Sequence, residues 1–361
     1  MKMAPDFQKD PKPLIIPIFI MGRGCPQRCI FCNQNIAAGY FVPEITLDRF
    51  NEEVAVYLHW NRNKSRPIEI AFYGGSFTAL KTDEQKRLLE MAQNCLRNHQ
   101  AGSIRISTRP DNIDDTQLRF LRSWGVQTVE IGAQSLNDEV LRLAGRGHDA
   151  AATVKAMKLL QEHHFQTGLH LMAGLPGDSR FGFYQTLLQA AELKPDTARI
   201  HPVLVLQNTR LFEKFQAGHY HPLSLEEAVD WCRLSWDVLT PAGIRIIRFG
   251  LQISQEMCKN GAVPAGPLHP SFGSLVYSSI FYSATLNLLN KIRDPDGELR
   301  FCVARHDISN FRGYQNSNIN SIKKLYPRVR IVIDSNHDRV PGRLTVNIGP
   351  EKILSADIPE I

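Results

Sequence analysis

Gly22-Arg23-Gly24-Cys25-Pro26-Gln27-Arg28-Cys29-Ile30-Phe31-Cys32-Asn33-Gln34-Asn35 crowds three of the chain's seven cysteines into eight residues. The spacing, C-x3-C-x2-C, puts Cys25, Cys29 and Cys32 on one short loop. Three thiolates can ligate three irons of a four-iron cubane, and the fourth iron is then left without a protein ligand. An open coordination position is what a metal needs to bind and activate a small molecule. A structural zinc site competes for the same residues, but zinc normally takes four Cys/His ligands, often as paired knuckles, which a single three-cysteine loop does not supply. An odd number of cysteines in a chain of 361 residues argues against a disulfide framework. Cys95 and Cys232 fall in helical patterns as small buried hydrophobes, and Cys258 and Cys302 are scattered.

The loop directly follows an apolar run at 15–21, which reads as a strand. Further strand-like runs stand at 68–73, 103–107, 128–132, 167–172 and 197–201. Helical patterns separate or follow them at 48–60, 83–98, 114–123, 150–164, 180–193 and 224–239, with Asp48, Thr82, Asp114 and Ser224 placed as N-caps. Strands joined by helices of this length pair in parallel through right-handed crossovers. Six such units predict an α/β fold, a partial (β/α)6 TIM-like barrel spanning 14–255, with its active groups at the strand C-terminal ends. Residues 1–13 read as a flexible polar arm. Residues 256–361 open with a Gly/Pro-rich loop and continue as a small α+β appendix, a candidate substrate-recognition element.

Composition narrows the class. The chain is 43% hydrophobic and 22% charged, as in ordinary globular proteins, and has neither an apolar run long enough to span a membrane nor a signal peptide's apolar core. A cytoplasmic enzyme is expected. The net charge of +6 comes without a block of consecutive Lys/Arg, so charge alone favours a mixed solvated surface over a nucleic-acid footprint.

A second motif, Tyr73-Gly74-Gly75-Ser76-Phe77-Thr78, follows the second strand. Paired glycines at a strand end permit unusual backbone angles and let a ligand approach the main chain. Together the cysteine loop, the aromatic Phe31 before its last cysteine, and this Gly-Gly turn resemble the radical-SAM superfamily. The resemblance implies a [4Fe-4S] cluster on Cys25, Cys29 and Cys32. Its open iron would chelate the amino and carboxylate groups of S-adenosyl-L-methionine, and one electron would cleave the cofactor to a 5′-deoxyadenosyl radical that abstracts a substrate hydrogen. It places Phe31 near the adenine and Gly74, Gly75 and Ser76 at the methionine amino group. It also implies an electron donor of the flavodoxin or ferredoxin type.

Further stations occur in order: Ser107-Thr108-Arg109-Pro110-Asp111, Glu130-Ile131-Gly132-Ala133-Gln134-Ser135, Arg146-Gly147-His148, and Gly168 through Gly177. These resemble the branch holding Elongator subunit 3 and the oxygen-independent coproporphyrinogen oxidases. By that resemblance Gln134 contacts the cofactor ribose and Arg146 its carboxylate, as suits an amide and a guanidinium. Ser107 and His170 complete the cofactor-binding set, although they stand where the oxidases carry acids, which argues against porphyrin chemistry. Nothing resembles an acetyl-CoA loop. His269-Pro270-Ser271-Phe272-Gly273 is similar to a segment of small Elongator-like proteins.

His201 and His269 are the candidate catalytic groups, since a neutral imidazole at either place can orient a substrate or relay a proton. In the tail, Ser309-Asn310-Phe311-Arg312-Gly313-Tyr314-Gln315-Asn316 has the amides, guanidinium and aromatics that suit a planar ligand or equally a well-bonded surface loop. Three functions compete: a radical enzyme acting on RNA or on a small molecule, a non-catalytic electron-transfer or iron–sulfur scaffold protein, and a tRNA-binding module with a structural metal. A cofactor cradle at Gly74, Gly75, Gln134 and Arg146 belongs only to the first.

Overall fold

Alternation within one strand shows how the sheet is built. In β2 (Ile68–Tyr73), Ile70 and Phe72 are fully buried and join the apolar core, whereas Glu69, Ala71 and Tyr73 point the opposite way. One face of each strand meets helices; the other lines the interior of a curled sheet. Residues 13–20, 22–25, 29–33, 36, 44–63, 65–98, 100–251, 261–292, 295–336, 339–348 and 352–358 are described by the structure, a computed structural model. Most of the expected N-terminal arm, and Cys258, lie outside these residues.

The sheet has seven parallel strands in sequence order: β1 (Leu14–Phe19), β2, β3 (Ser103–Thr108), β4 (Val126–Gln134), β5 (Gln166–Ala173), β6 (Thr197–Pro202) and β7 (Arg245–Phe249). It forms a partial TIM-like barrel, as expected, but with one strand more than the six read from the sequence. The run at β7 is five residues long and carries Arg245 and Arg248, too short and too charged to stand out as a strand. Pairing in register with β6 through Thr197↔Arg245 and Ala198↔Ile246 makes it one.

Helices α1 (Leu47–Trp60), α2 (Thr82–Arg97), α3 (Asp115–Ser123), α4 (Asp138–Leu143), α5 (Ala150–Glu162), α6 (Arg180–Leu193), α7 (Arg210–Gln216) and α8 (Leu225–Leu239) occupy the connections. Asp114 and Ser224 cap as expected, Ser224 with Glu227 in a reciprocal capping box. Each such cap contributes about 1 kcal/mol. Asp48 and Thr82 do not cap: Thr46 and Lys81 hold those positions. Thr46 Oγ1 accepts from Arg49 N at 3.3 Å, leaving Asp48 inside the first turn, where its charge suits the helix dipole.

The tail forms α9 (Phe272–Leu289), β8 (Gly297–Ala304), α10 (Ile308–Arg312), α11 (Ser317–Leu325), β9 (Val329–Asn336), β10 (Arg343–Ile348) and β11 (Lys352–Asp357). The second sheet runs β11-β10-β8-β9, with only β8 and β9 parallel. Helix α9 carries apolar residues all round because it is buried on two sides, against α8 and β7 and against the second sheet. One apolar core therefore runs from Ile16 to Val346 through both sheets. None of the described helices is long and apolar enough to cross a membrane.

Candidate active site

The cysteine loop leaves β1 and is pinned by its neighbours at the strand C-terminal ends. Gly22 N donates to Gly74 O (3.2 Å), Ser76 N to Arg23 O (3.1 Å), and Ile30 N to Ala144 O (3.1 Å), just beyond α4. Cys32 N closes a tight turn on Cys29 O at 3.1 Å. Cys25 is half-buried, Cys29 buried and Cys32 exposed. Phe31 packs on a small apolar cluster with Ile30, Val140, Ala144 and Leu175.

The Gly-Gly turn presses against this loop. A Cβ at Gly75 would lie 2.5 Å from Arg23 O and 3.0 Å from Ile20 O, both backbone atoms. What comes close to Gly75 is thus the chain carrying the cysteines, rather than open space for a ligand. Ser76 is fully buried, its hydroxyl 3.0 Å from Thr108 Oγ1 and accepting from Arg109 N at 3.3 Å, so it fastens β2 to β3. Ser107 Oγ donates to Phe72 O at 3.3 Å.

Arg146 reaches the cysteines directly. Its Nη1 lies 3.1 Å from Cys29 Sγ, Nη2 donates to Gly132 O, and the buried Nε has no partner. Arg109 is tied to Asp111 by two bonds of 2.9 and 2.8 Å and also donates to Arg146 O at 2.7 Å. Burial pushes the Asp111 carboxyl up, but the bonds and charge of Arg109 hold it below its ordinary value. Gln134 ends β4 with φ +72° at a register shift against β5. A non-glycine residue in that region is strained, and such strain collects at ligand sites.

The barrel interior holds a network that sequence reading missed. Glu130 is fully buried and accepts from Arg105 Nη1 (2.7 Å), Tyr73 OH (3.1 Å), Arg199 Nη2 (3.1 Å) and His170 Nε2. Arg105 also bonds Glu69 (2.7 Å), and Arg199 donates to Tyr73 OH (2.7 Å). Burial would raise the Glu130 carboxyl, yet Arg199, His170 and Arg105 hold it well below the ordinary range. Gly168 makes room: a Cβ there would sit 2.7 Å from Glu130 Cγ. The available signal was one charged residue inside each of several apolar strands: Glu69, Arg105, Glu130 and Arg199.

His170 is thus engaged in this network. His201 lies beside it, ring centroids 5.9 Å apart, its buried Nε2 without a partner. Burial, with the neighbouring His170 and Arg199, pushes its pKa well below the ordinary value, so it is neutral. The His269 ring meets Tyr314 edge-on at 6.0 Å, and its Nδ1 accepts from Ser271 N at 3.1 Å.

Among the described residues no three His, Cys, Asp or Glu side chains converge to hold a single metal ion. A cubane asks for no such convergence, because each thiolate bonds a different iron. The donor set fits that group: three cysteine sulfurs on one loop, with the guanidinium of Arg146 against one of them and an unused buried N–H beside it.

Comparison with known proteins agrees with this geometry. A model of the radical SAM superfamily matches residues 19–189, and one of the radical-SAM C-terminal domain matches 195–281. The chain belongs to the radical-SAM superfamily. Its members are enzymes that use a [4Fe-4S] cluster and S-adenosyl-L-methionine, and these are the cofactors of this chain. The tRNA uridine(34) acetyltransferase of Methanocaldococcus infernus is 28% identical over 230 residues, 58% of this chain and 42% of the relative. The heme chaperone HemW of Synechocystis is 28% identical over 227 residues, 61% of this chain and 54% of the relative. The chain therefore spans about half the length of these relatives. The structure of Methanocaldococcus infernus Elp3 with residues 1–46 deleted superposes with a TM-score of 0.58 at 22% identity, covering 75% of this chain and 63% of that one, a likeness of fold.

Proposed function

We propose that Cys25, Cys29 and Cys32 hold the cluster and that this chain cleaves S-adenosyl-L-methionine reductively to start hydrogen abstraction from a substrate seated in the barrel. When bound, cluster and cofactor together supply one electron and a carbon-centred radical. The chain's own residues do the rest. Arg146 pairs with the cofactor carboxylate through the N–H it leaves unpartnered, and Gln134, held at φ +72° at the end of β4, bonds the ribose. Gly74, Gly75 and Ser76 hold the turn against the cysteine loop so that its backbone meets the methionine amino group, and Phe31 flanks the adenine. The Glu130 network ties β2 through β6 together inside the barrel. The neutral His201 offers a hydrogen bond to the substrate through its unpartnered Nε2. An RNA nucleoside is the substrate class favoured by relatives named for tRNA uridine(34).

The observation that carries the reading is the hydrogen bond from Arg146 to Cys29, which joins the cofactor station to the cluster loop. The test is anaerobic reconstitution, reduction by flavodoxin or dithionite, and chromatography for 5′-deoxyadenosine. Protein with four irons should release the nucleoside, Cys29→Ala should not, and Cys95→Ala and Cys302→Ala should match the parent. A four-iron parent that binds the cofactor and never cleaves it would refute the enzyme reading in favour of a scaffold.

A further inference from the structure

Arg146 is only 6% exposed and, among the described residues, faces no carboxylate. Its partners are a thiol sulfur and a backbone carbonyl. Arg109, close by, is neutralised by Asp111. A buried guanidinium without a counter-charge is costly, so something at this point must supply negative charge. The sulfur 3.1 Å away is the nearest source: as a cluster ligand, Cys29 is a thiolate.

The position is rigid. Arg146 N donates to Leu141 O at 3.0 Å, Arg109 Nη2 holds Arg146 O at 2.7 Å, and Nη2 is anchored on Gly132 O. These anchors, all on the chain's own backbone, hold the donor against the sulfur.

We propose that Arg146 sets the reduction potential of the cluster through its charged hydrogen bond to Cys29, a role separate from holding the cofactor carboxylate. Reduction adds one negative charge to the cluster. A fixed cationic donor on a ligand sulfur stabilises the reduced state more than the oxidised one, and so raises the potential. The inference rests on the cluster reading.

The test is an EPR-monitored redox titration of the reconstituted protein without S-adenosyl-L-methionine, comparing the parent with Arg146→Gln, Arg146→Met and Arg146→Lys. Both neutral variants should hold four irons and titrate at a lower potential than the parent. Lysine, which keeps the charge but not the fork, should fall between them. Arg142→Gln, an exposed charge removed from α4 just before Arg146, should titrate with the parent. Neutral variants at the parental potential, with only cofactor affinity reduced, would overturn the proposal. So would failure of both neutral variants to retain the cluster, because Arg146 would then be needed for assembly rather than for tuning. A parent protein that takes up no iron would instead sink the cluster reading itself.

Discussion

Replacing Glu130 with Gln removes one charge from the centre of the barrel and nothing from its shape. Four donors converge on this carboxylate: Arg105 at 2.7 Å, Arg199 and Tyr73 each at 3.1 Å, and His170. Arg105 would keep Glu69 at 2.7 Å, but Arg199 would lose its carboxylate partner while staying mostly buried. Breaking one side of a buried pair costs about 3–5 kcal/mol. At about 2–4 °C per kcal/mol for domains of 150–250 residues, the melting temperature should fall on the order of 10 °C. The pH dependence follows from the depressed carboxyl. Its contribution is complete above the unfolded-state pKa, about 4.3, and is lost as pH falls through the lower folded value. The gap between parent and Glu130→Gln should thus be full at about pH 7 and narrower at about pH 3.5 by scanning calorimetry. A variant melting with the parent at neutral pH, or a gap that ignores acidity, would refute the account of Glu130 as the charge anchor.

Two further outcomes are expected. Gly75→Ala should cost about 1–3 kcal/mol and lower the iron content, because its Cβ meets Arg23 O at 2.5 Å and backbone must move; unchanged melting and iron with weaker cofactor binding alone would return Gly75 to a direct ligand contact. Asp178, whose carboxyl burial pushes up to about 6, is ionised at a cost in the folded protein, so Asp178→Asn should raise the melting temperature at about pH 8 and lose that advantage below about pH 4; an advantage constant with pH would contradict it.

Much of this protein is readable along the chain because its decisive signals are local. The C-x3-C-x2-C loop lies within eight residues, and each βα unit announces itself through a strand-length apolar run followed by a helical period. The cap at Ser224 is equally local, since its capping-box partner Glu227 is three residues away. Beta7 escaped because five residues with two arginines carry little periodicity; only pairing with β6 defines them. The reason for Gly75 also changed, since the atom that forbids a side chain belongs to Arg23, fifty-two residues earlier.

The interior network is the part that only the tertiary structure decided. Glu69, Arg105, Glu130 and Arg199 are each an isolated charge in an apolar strand, and nothing local says which will meet. Curling the sheet turns alternate residues of neighbouring strands toward one another, and Gly168 leaves the gap that Glu130 fills. The same closure sets Arg146, 117 residues from Cys29, against its sulfur. The three cysteines proposed as cluster ligands are therefore legible in sequence spacing alone. The charges that hold the barrel together, and the one that touches Cys29, depend on distances that exist only after strands and loops have packed.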